Sequence, residues 1–126
     1  MTVLTQPPTM GDVLKYELNP NFTRETITLL AGTAYPVGAV LGRITASGKY
    51  KLSTSGGSDG GQNAAAVLLY ATDARAADRD AVVILRGPAI VSKAALVFDA
   101  TVDDAAKTAT KHGQLAALGI IPRDTA

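Results

Sequence analysis

The stretch PVGAVLGRITASGKYKL, residues 36–52, predicts a β-hairpin, and the neighbouring segments extend outward from it. Its first half is apolar and bounded by proline and glycine, as strands commonly are. Ser47-Gly48 marks the turn, because glycine adopts the positive φ that tight hairpin turns require. After the turn, Tyr50 and Leu52 alternate with polar residues. This alternation indicates a second strand with one buried face.

The rest of the chain continues the same β-rich pattern. A flexible glycine-rich loop, SGGSDGG at residues 55–61, follows the hairpin. Strands or extended segments, separated by turn residues such as Gly87-Pro88, are predicted from composition and alternation at residues 23–30, 64–71, 81–86, 89–91 and 94–98.

The C-terminal region changes to a helix-favouring pattern. Residues 101–104, TVDD, resemble a capping box with acidic residues at a helix N-terminus. Residues 103–111 are rich in alanine and lysine, which favour helix. Gly113 is predicted to interrupt this helix, with a second short helical piece at residues 114–118. A short extended segment is predicted at residues 120–123.

The N-terminal region predicts an extended arm. Pro7-Pro8 disfavours helix, and residues 12–18 alternate apolar and polar side chains. An extended segment of this kind pairs with a sheet edge, either its own or that of another protein. We therefore predict an arm over residues 1–22 and a single β-rich domain over residues 23–126. The alternative, that the segment supplies the first strands of the domain itself, stays open.

Composition excludes several classes of protein. Apolar residues make up 47% of the chain and aromatics only 5%, which predicts a folded core built mainly from aliphatic side chains and alanine. The net charge is +1 and no Lys/Arg cluster is present, which argues against nucleic-acid binding. The absence of cysteine excludes disulfides and cysteine-based zinc sites. No signal peptide or membrane-spanning run is recognisable, so we expect a soluble protein made in a cytoplasm, without membrane contact.

Two glycine motifs resemble enzyme signatures but lack the context that those signatures require. Residues 56–60 fit G-x-S-x-G, yet an apolar strand rather than a helix follows them, and the chain is too short for the corresponding α/β sheet. Residues 42–50 resemble a phosphate-binding loop, but one extra residue separates the glycines. Tyr50 also stands where a serine or threonine should hold magnesium. Both segments are therefore interpreted as turns, and no enzyme activity is predicted.

The acidic and histidine residues do not predict a metal or cofactor site. Asp73, Asp78 and Asp80 lack the spacing of a calcium loop and are interpreted as a solvated connection. His112 is the only histidine, and no second type of ligand is arranged near it. We predict that it lies near a helix C-terminus, where a cation is favourable.

The order of these segments resembles the lambda-type bacteriophage head decoration family (head protein D-like). The resemblance covers about residues 32–123 and is carried by GAVLG at 38–42, SGKY at 47–50, SDG at 58–60, AAAVL at 64–68, the strand at 83–87, the segment at 96–99 and the closing residues 115–121. It implies a mainly β, β-clip-like small domain with a short C-terminal helical segment and an extended N-terminal arm.

The resemblance also implies a structural function. Such a protein binds as homotrimers at threefold and quasi-threefold sites on the outer surface of an expanded phage head. There it clamps neighbouring major capsid protein subunits against the pressure of packaged DNA. Its arm orders against the major capsid protein, commonly by strand addition. The arm residues that we assign on this basis as candidate capsid contacts are Thr2, Val3, Leu4, Thr5, Val13, Leu14, Tyr16 and Leu18.

Two other classes of function stay open at this point. One is a different virion assembly component, such as a tail or adhesion module. The other is a nucleotide hydrolase on a β-clip scaffold, which would require an acidic and glycine-containing metal–phosphate site that the sequence does not present.

Overall fold

The computed structural model describes residues 9–124, and in this part of the chain short strands predominate. The elements in chain order are α1 (Met10–Val13), β1 (Leu14–Glu17), α2 (Pro20–Thr23), β2 (Arg24–Leu29), β3 (Ala34–Tyr35), β4 (Val40–Arg43), β5 (Tyr50–Leu52), β6 (Ala64–Leu68), β7 (Thr72–Asp73), β8 (Arg79–Ile84), β9 (Ala89–Ser92), a 3₁₀ turn (Lys93–Ala95), α3 (Ala105–Ala117) and β10 (Ile120–Arg123). The mainly β fold with a C-terminal helix is confirmed. The assignment to the β-clip class stays a prediction.

The predicted hairpin is confirmed and forms part of a closed five-stranded barrel. The barrel order is β2-β5-β4-β6-β8, with antiparallel pairs throughout except where β5 meets β2 in parallel. In the hairpin, Leu41 pairs with Leu52 and Arg43 with Tyr50. Gly48 adopts a φ of +74° in the turn, a conformation that glycine adopts without strain.

Barrel strands β4, β6 and β8 are buried on both faces. One apolar cluster draws residues from all five strands and fills the barrel interior, with Leu41, Leu68 and Val83 among its members. A second cluster uses the alternate positions Val40, Val67 and Ile84, which point out of the barrel. The sequences of these strands are therefore mostly apolar, because both faces of each strand are covered.

The outer cluster is covered by a three-stranded sheet and by α3. The sheet order is β1-β9-β10, with β1 antiparallel and β10 parallel to β9. Val91 from β9, Ile120 from β10 and Leu115 from α3 are fully buried in this cluster. The small aliphatic side chains of the protein thus form two cores. One lies inside the barrel, and the other lies between the barrel and the layer formed by the three-stranded sheet and α3.

Helix α3 differs from its predicted form. It begins at Ala105, with the Asp104 carboxylate accepting a hydrogen bond from the Lys107 backbone N–H at 2.8 Å. The predicted interruption at Gly113 is wrong, since the helix continues through this residue to Ala117. A single glycine lowers helix stability by only about 1 kcal/mol, which the contacts on either side outweigh. The extended segment predicted at 94–98 is a 3₁₀ turn followed by a single β-bridge.

The predicted arm of residues 1–22 lies partly outside the described residues, and its described part is packed on the domain. Val13 has no exposed surface and lies in the outer cluster, against which Leu14 packs. β1 forms hydrogen-bonded pairs with β9. This placement corresponds to the alternative that the sequence left open, in which the segment supplies a first strand. The physical reason is that Val13 fills a position in a core that only the folded chain creates.

Candidate assembly surface

The N-terminal segment enters the domain through a single helical turn. The Thr9 backbone N–H donates to the Asp12 carboxylate at 2.8 Å, and the Asp12 N–H donates to the Thr9 carbonyl at 3.0 Å. Lys15 closes the same turn by donating to the Gly11 carbonyl at 2.9 Å. These contacts place Val13 inward, beside Gly38, whose lack of a side chain leaves room for it. Residues 1–8 therefore connect to the domain at a fixed point.

Strand β1 lies at the edge of its sheet. β9 pairs with one side of β1, and no described strand pairs with the other side. The backbone N–H and C=O groups along a free strand edge are a template for pairing with another chain. Beyond the strand, the Leu18 N–H donates to the Pro88 carbonyl at 3.0 Å and extends the pairing by one residue.

The sheet carries an apolar outer face, formed by a row across its three strands. Tyr16 pairs with Ile90, and Ile90 pairs with Ile121. The neighbours of Ile90 on β9 are buried in the outer cluster, so Ile90 and the residues opposite it point away from the core. Tyr16 is 49% exposed and Leu18 at the strand end is 59% exposed. Contiguous exposed apolar residues are typical of interaction surfaces.

A partly buried ion pair fixes the far end of β1. The Glu17 carboxylate accepts hydrogen bonds from both Nε and Nη2 of Arg24, the shortest from Nη2 at 2.6 Å, and another from the Thr23 hydroxyl at 2.7 Å. Burial alone would raise the pKa of Glu17, but the hydrogen bonds from Arg24 and Thr23 outweigh it and lower the pKa. The carboxylate therefore stays charged at neutral pH and holds β1 against the start of β2.

Phe22 adds a second exposed ring near this end of the sheet. Its ring is 53% exposed, and the Arg86 guanidinium lies 5.5 Å from its centroid. Arg86 also donates to the Phe22 carbonyl and, at 3.1 Å, to Glu25. These contacts hold the guanidinium against the exposed Phe22 ring.

The structure separates the sequence-assigned contact residues into three groups. Thr2, Val3, Leu4 and Thr5 lie outside the described residues. Val13 is fully buried in the domain's own core, so it cannot contact another protein in this fold, whereas Leu14 is half-buried and packs against that core. Tyr16 and Leu18 are exposed on the outer face.

Sequence reasoning missed the other apolar residues of this surface. Ile90 and Ile121 were assigned only to predicted strands or extended segments, and Phe22 only to the predicted arm. The AIVS segment at residues 89–92 gives no local signal that separates Ile90 from its neighbours, because Ala89, Ile90 and Val91 are all apolar. Only the fold shows that Ile90 is the least buried of the three.

The motifs that resembled enzyme signatures lie in the hairpin and in the loop that follows it. The 56–60 loop leads into β6, with no helix after its serine. Lys49 forms an ion pair with Asp78 at 2.6 Å. Within residues 9–124, no group of three metal-ligating side chains is close enough to hold an ion.

His112 does not lie where the sequence predicted. It lies in the middle of α3 and packs against Phe98, with ring centroids 5.8 Å apart. Burial lowers the pKa of His112, so the ring is held neutral instead of serving as a cation at a helix end.

None of the described helices is both long and apolar enough to cross a membrane.

Comparison with known proteins gives the family of the chain. No curated protein matches the chain. The family model of the bacteriophage lambda head decoration protein D matches residues 3–120, nearly the whole chain. The chain therefore belongs to the lambda head decoration protein D family, a family of structural phage proteins that decorate the capsid.

Proposed function

We propose that this protein binds as homotrimers on the outer surface of an expanded phage head and clamps neighbouring major capsid protein subunits against internal DNA pressure. It is made in the cytoplasm of the bacterial host and joins the virion at the capsid, with no nucleic acid or membrane partner. The family match over residues 3–120 is the observation that carries this proposal. The position of β1 at a sheet edge, a few residues after Thr9, supports an attachment through the N-terminal segment.

In this proposal, the contact with the shell has two parts. Residues 1–8, including Thr2, Val3, Leu4 and Thr5, form the free part of the arm and add a strand to the capsid protein. Tyr16 and Leu18 on the outer face then contact the shell beside it. Backbone pairing supplies affinity without special side chains. Many weakly held copies on one lattice, linked through trimers, bind more tightly than a single copy does.

The domain division is proposed accordingly. Residues 9–22 are the root of the arm, packed on the domain through Val13 and β1. A truncation that tests the arm should therefore start at Thr9, because a chain starting at Thr23 also loses part of the core.

The test is co-sedimentation with expanded, undecorated heads. The full chain, a chain starting at Thr9 and a Tyr16→Ser variant are compared with a Leu118→Ser control. Leu118 is 41% exposed, close to the 49% of Tyr16, but it follows α3 instead of lying on β1. We expect saturable binding by the full chain and the control, and weaker binding by the other two.

The outcomes separate the parts of the proposal. Loss of binding only in the chain starting at Thr9 assigns attachment to the arm and removes Tyr16 from the contact. Equal binding by all four chains keeps decoration but rejects both contacts. Binding by none would contradict the head as the partner and favour a tail or adhesion lattice.

A further inference from the structure

The inner face of α3 is unusually polar for a helix that covers a core. Leu115 is its fully buried apolar residue. The Gln114 side-chain carbonyl accepts from the Ala64 N–H at 2.8 Å, and Lys111 is buried with 1% of its surface exposed. A helix normally packs through an apolar stripe. Here polar contacts to the barrel carry much of the attachment.

The Lys111 ammonium lies in a cage of three oxygen acceptors. Its Nζ donates to the Ser53 hydroxyl at 3.0 Å, to the Thr54 carbonyl at 2.6 Å and to the Gln62 carbonyl. Three N–H groups thus meet three acceptors, the full donor capacity of an ammonium. None of the described carboxylates forms an ion pair with it.

The cage is built from both ends of the glycine-rich loop. Ser53 and Thr54 lead into the loop, and Gln62 follows it. The Ser53 hydroxyl donates to the Gly61 carbonyl at 2.8 Å and so joins the two ends directly. Lys111, 58 residues from Ser53 in the chain, then ties both ends to α3.

We propose that residues 53–62 form a cage for one ammonium group and that Lys111, by filling this cage, latches α3 onto the barrel. When the Lys111 side chain is shortened, the same cage binds a small primary alkylammonium ion in its place. The chemistry that selects the ligand is a single positive charge with three N–H donors. A quaternary ammonium has the charge but no donors, and it does not fit this set of acceptors.

The consequence of removing the ammonium follows from the buried acceptors. Without it, the Thr54 and Gln62 carbonyls lose a charge-assisted hydrogen bond and are left without that partner in a partly buried place. In Lys111→Met, where the methionine side chain fills the space, the loop regains hydrogen bonds to water by opening away from α3, and in Lys111→Ala water entering the vacated space replaces the ammonium only in part. Opening should therefore appear first in the loop and in α3, and not in the barrel strands.

The test compares Lys111→Ala with Lys111→Met and with a control, Lys107→Ala. The control removes a lysine from the same helix whose exposed ammonium pairs with Asp103 at 2.7 Å. Hydrogen exchange of loop and α3 amides is measured with n-propylammonium, whose carbon chain replaces the missing methylenes. Tetramethylammonium at equal ionic strength serves as the matched salt.

We expect loop amides to exchange faster by about tenfold or more in both Lys111 variants, as loss of a charge-assisted hydrogen bond implies. Propylammonium, but not tetramethylammonium, should restore protection in Lys111→Ala, while Lys107→Ala stays like the parent. Unchanged loop protection in Lys111→Met would overturn the latch. Equal effects of both ions on Lys111→Ala would overturn the ammonium cage. If Lys111→Ala does not fold, Ser53→Ala tests the cage instead, and unchanged loop exchange there would contradict it.

Discussion

At the residue scale, His112 links the stability of the fold to pH. Its Nε2 is buried and has no hydrogen-bond partner among the described residues. Burial lowers the pKa of His112, nearby Lys93 lowers it further, and Asp124 opposes the change. The unfolded chain titrates near 6.5 and therefore binds the proton more readily than the folded chain. Stability from this group is present above pH 6.5 and is lost as the pH falls below that value.

We accordingly predict that mild acid destabilises the protein through this histidine. Between about pH 7.5 and about pH 5.5, the melting temperature should fall more in the parent than in His112→Gln, since glutamine does not titrate. The unfolding constant changes by at most about tenfold per pH unit for one proton. Thermal unfolding across this range measures both chains. Parallel curves would show that His112 does not carry the effect.

Alanine substitutions at two glycines should change the free energy of unfolding in opposite directions. At Gly113, an added Cβ meets no atom within 4 Å, and the residue lies inside α3. Gly113→Ala should therefore raise the free energy of unfolding by up to about 1 kcal/mol. At Gly42, the added Cβ would lie 2.0 Å from the Gly61 carbonyl oxygen.

Relief of that clash requires the backbone between β4 and the loop to shift. Gly42→Ala should therefore lower the free energy of unfolding by about 1–3 kcal/mol or more. Chemical denaturation of both variants gives the comparison. A stabilising Gly42→Ala would contradict the close backbone approach between Gly42 and Gly61.

At the element scale, α1 and β1 belong to the domain although they lie next to its N-terminal arm. Val13 contributes to the outer cluster, and β1 covers one edge of β9. All of these contacts are made by residues from Thr9 onward. The stability of the domain should therefore depend on where an N-terminal truncation ends.

We predict that a chain starting at Thr9 keeps the melting temperature of the full chain. A chain starting at Thr23 should lose at least the burial of Val13, worth about 1.5–3 kcal/mol, and the β1–β9 pairing as well. Thermal unfolding measures all three chains. If the chain starting at Thr23 melts like the full one, then Val13 and β1 are not part of the stable core.

At the scale of the whole molecule, the near-neutral charge predicts how binding responds to salt. The net charge is +1, and the proposed contacts are backbone pairing and an apolar face. Both respond weakly to ionic strength, whereas contacts between exposed charges are screened. On the proposed function, raising salt from about 50 to about 500 mM should change binding to heads by less than about threefold. Steep loss of binding in the same sedimentation assay would indicate a charge-driven contact instead.

The sequence by itself determined the local elements of this protein. Ser47-Gly48 and the alternation after it specify the hairpin, because turn chemistry and side-chain period act over a few residues. The order of glycine turns and apolar strands was also enough to indicate the family. The strand at residues 120–123 was recognisable from its own composition in the same way.

Only the tertiary structure decided the features that join distant residues. The parallel contact of β5 with β2 closes the barrel over the inner face of β6, while the three-stranded sheet and α3 cover its outer face. Val13 is a core residue because the folded chain places it in the outer cluster. Lys111 became a buried cation because the folded chain brings both ends of the 53–62 loop to its ammonium. Local pattern contains no information about such contacts, since the partners lie tens of residues away and each side chain alone is compatible with solvent.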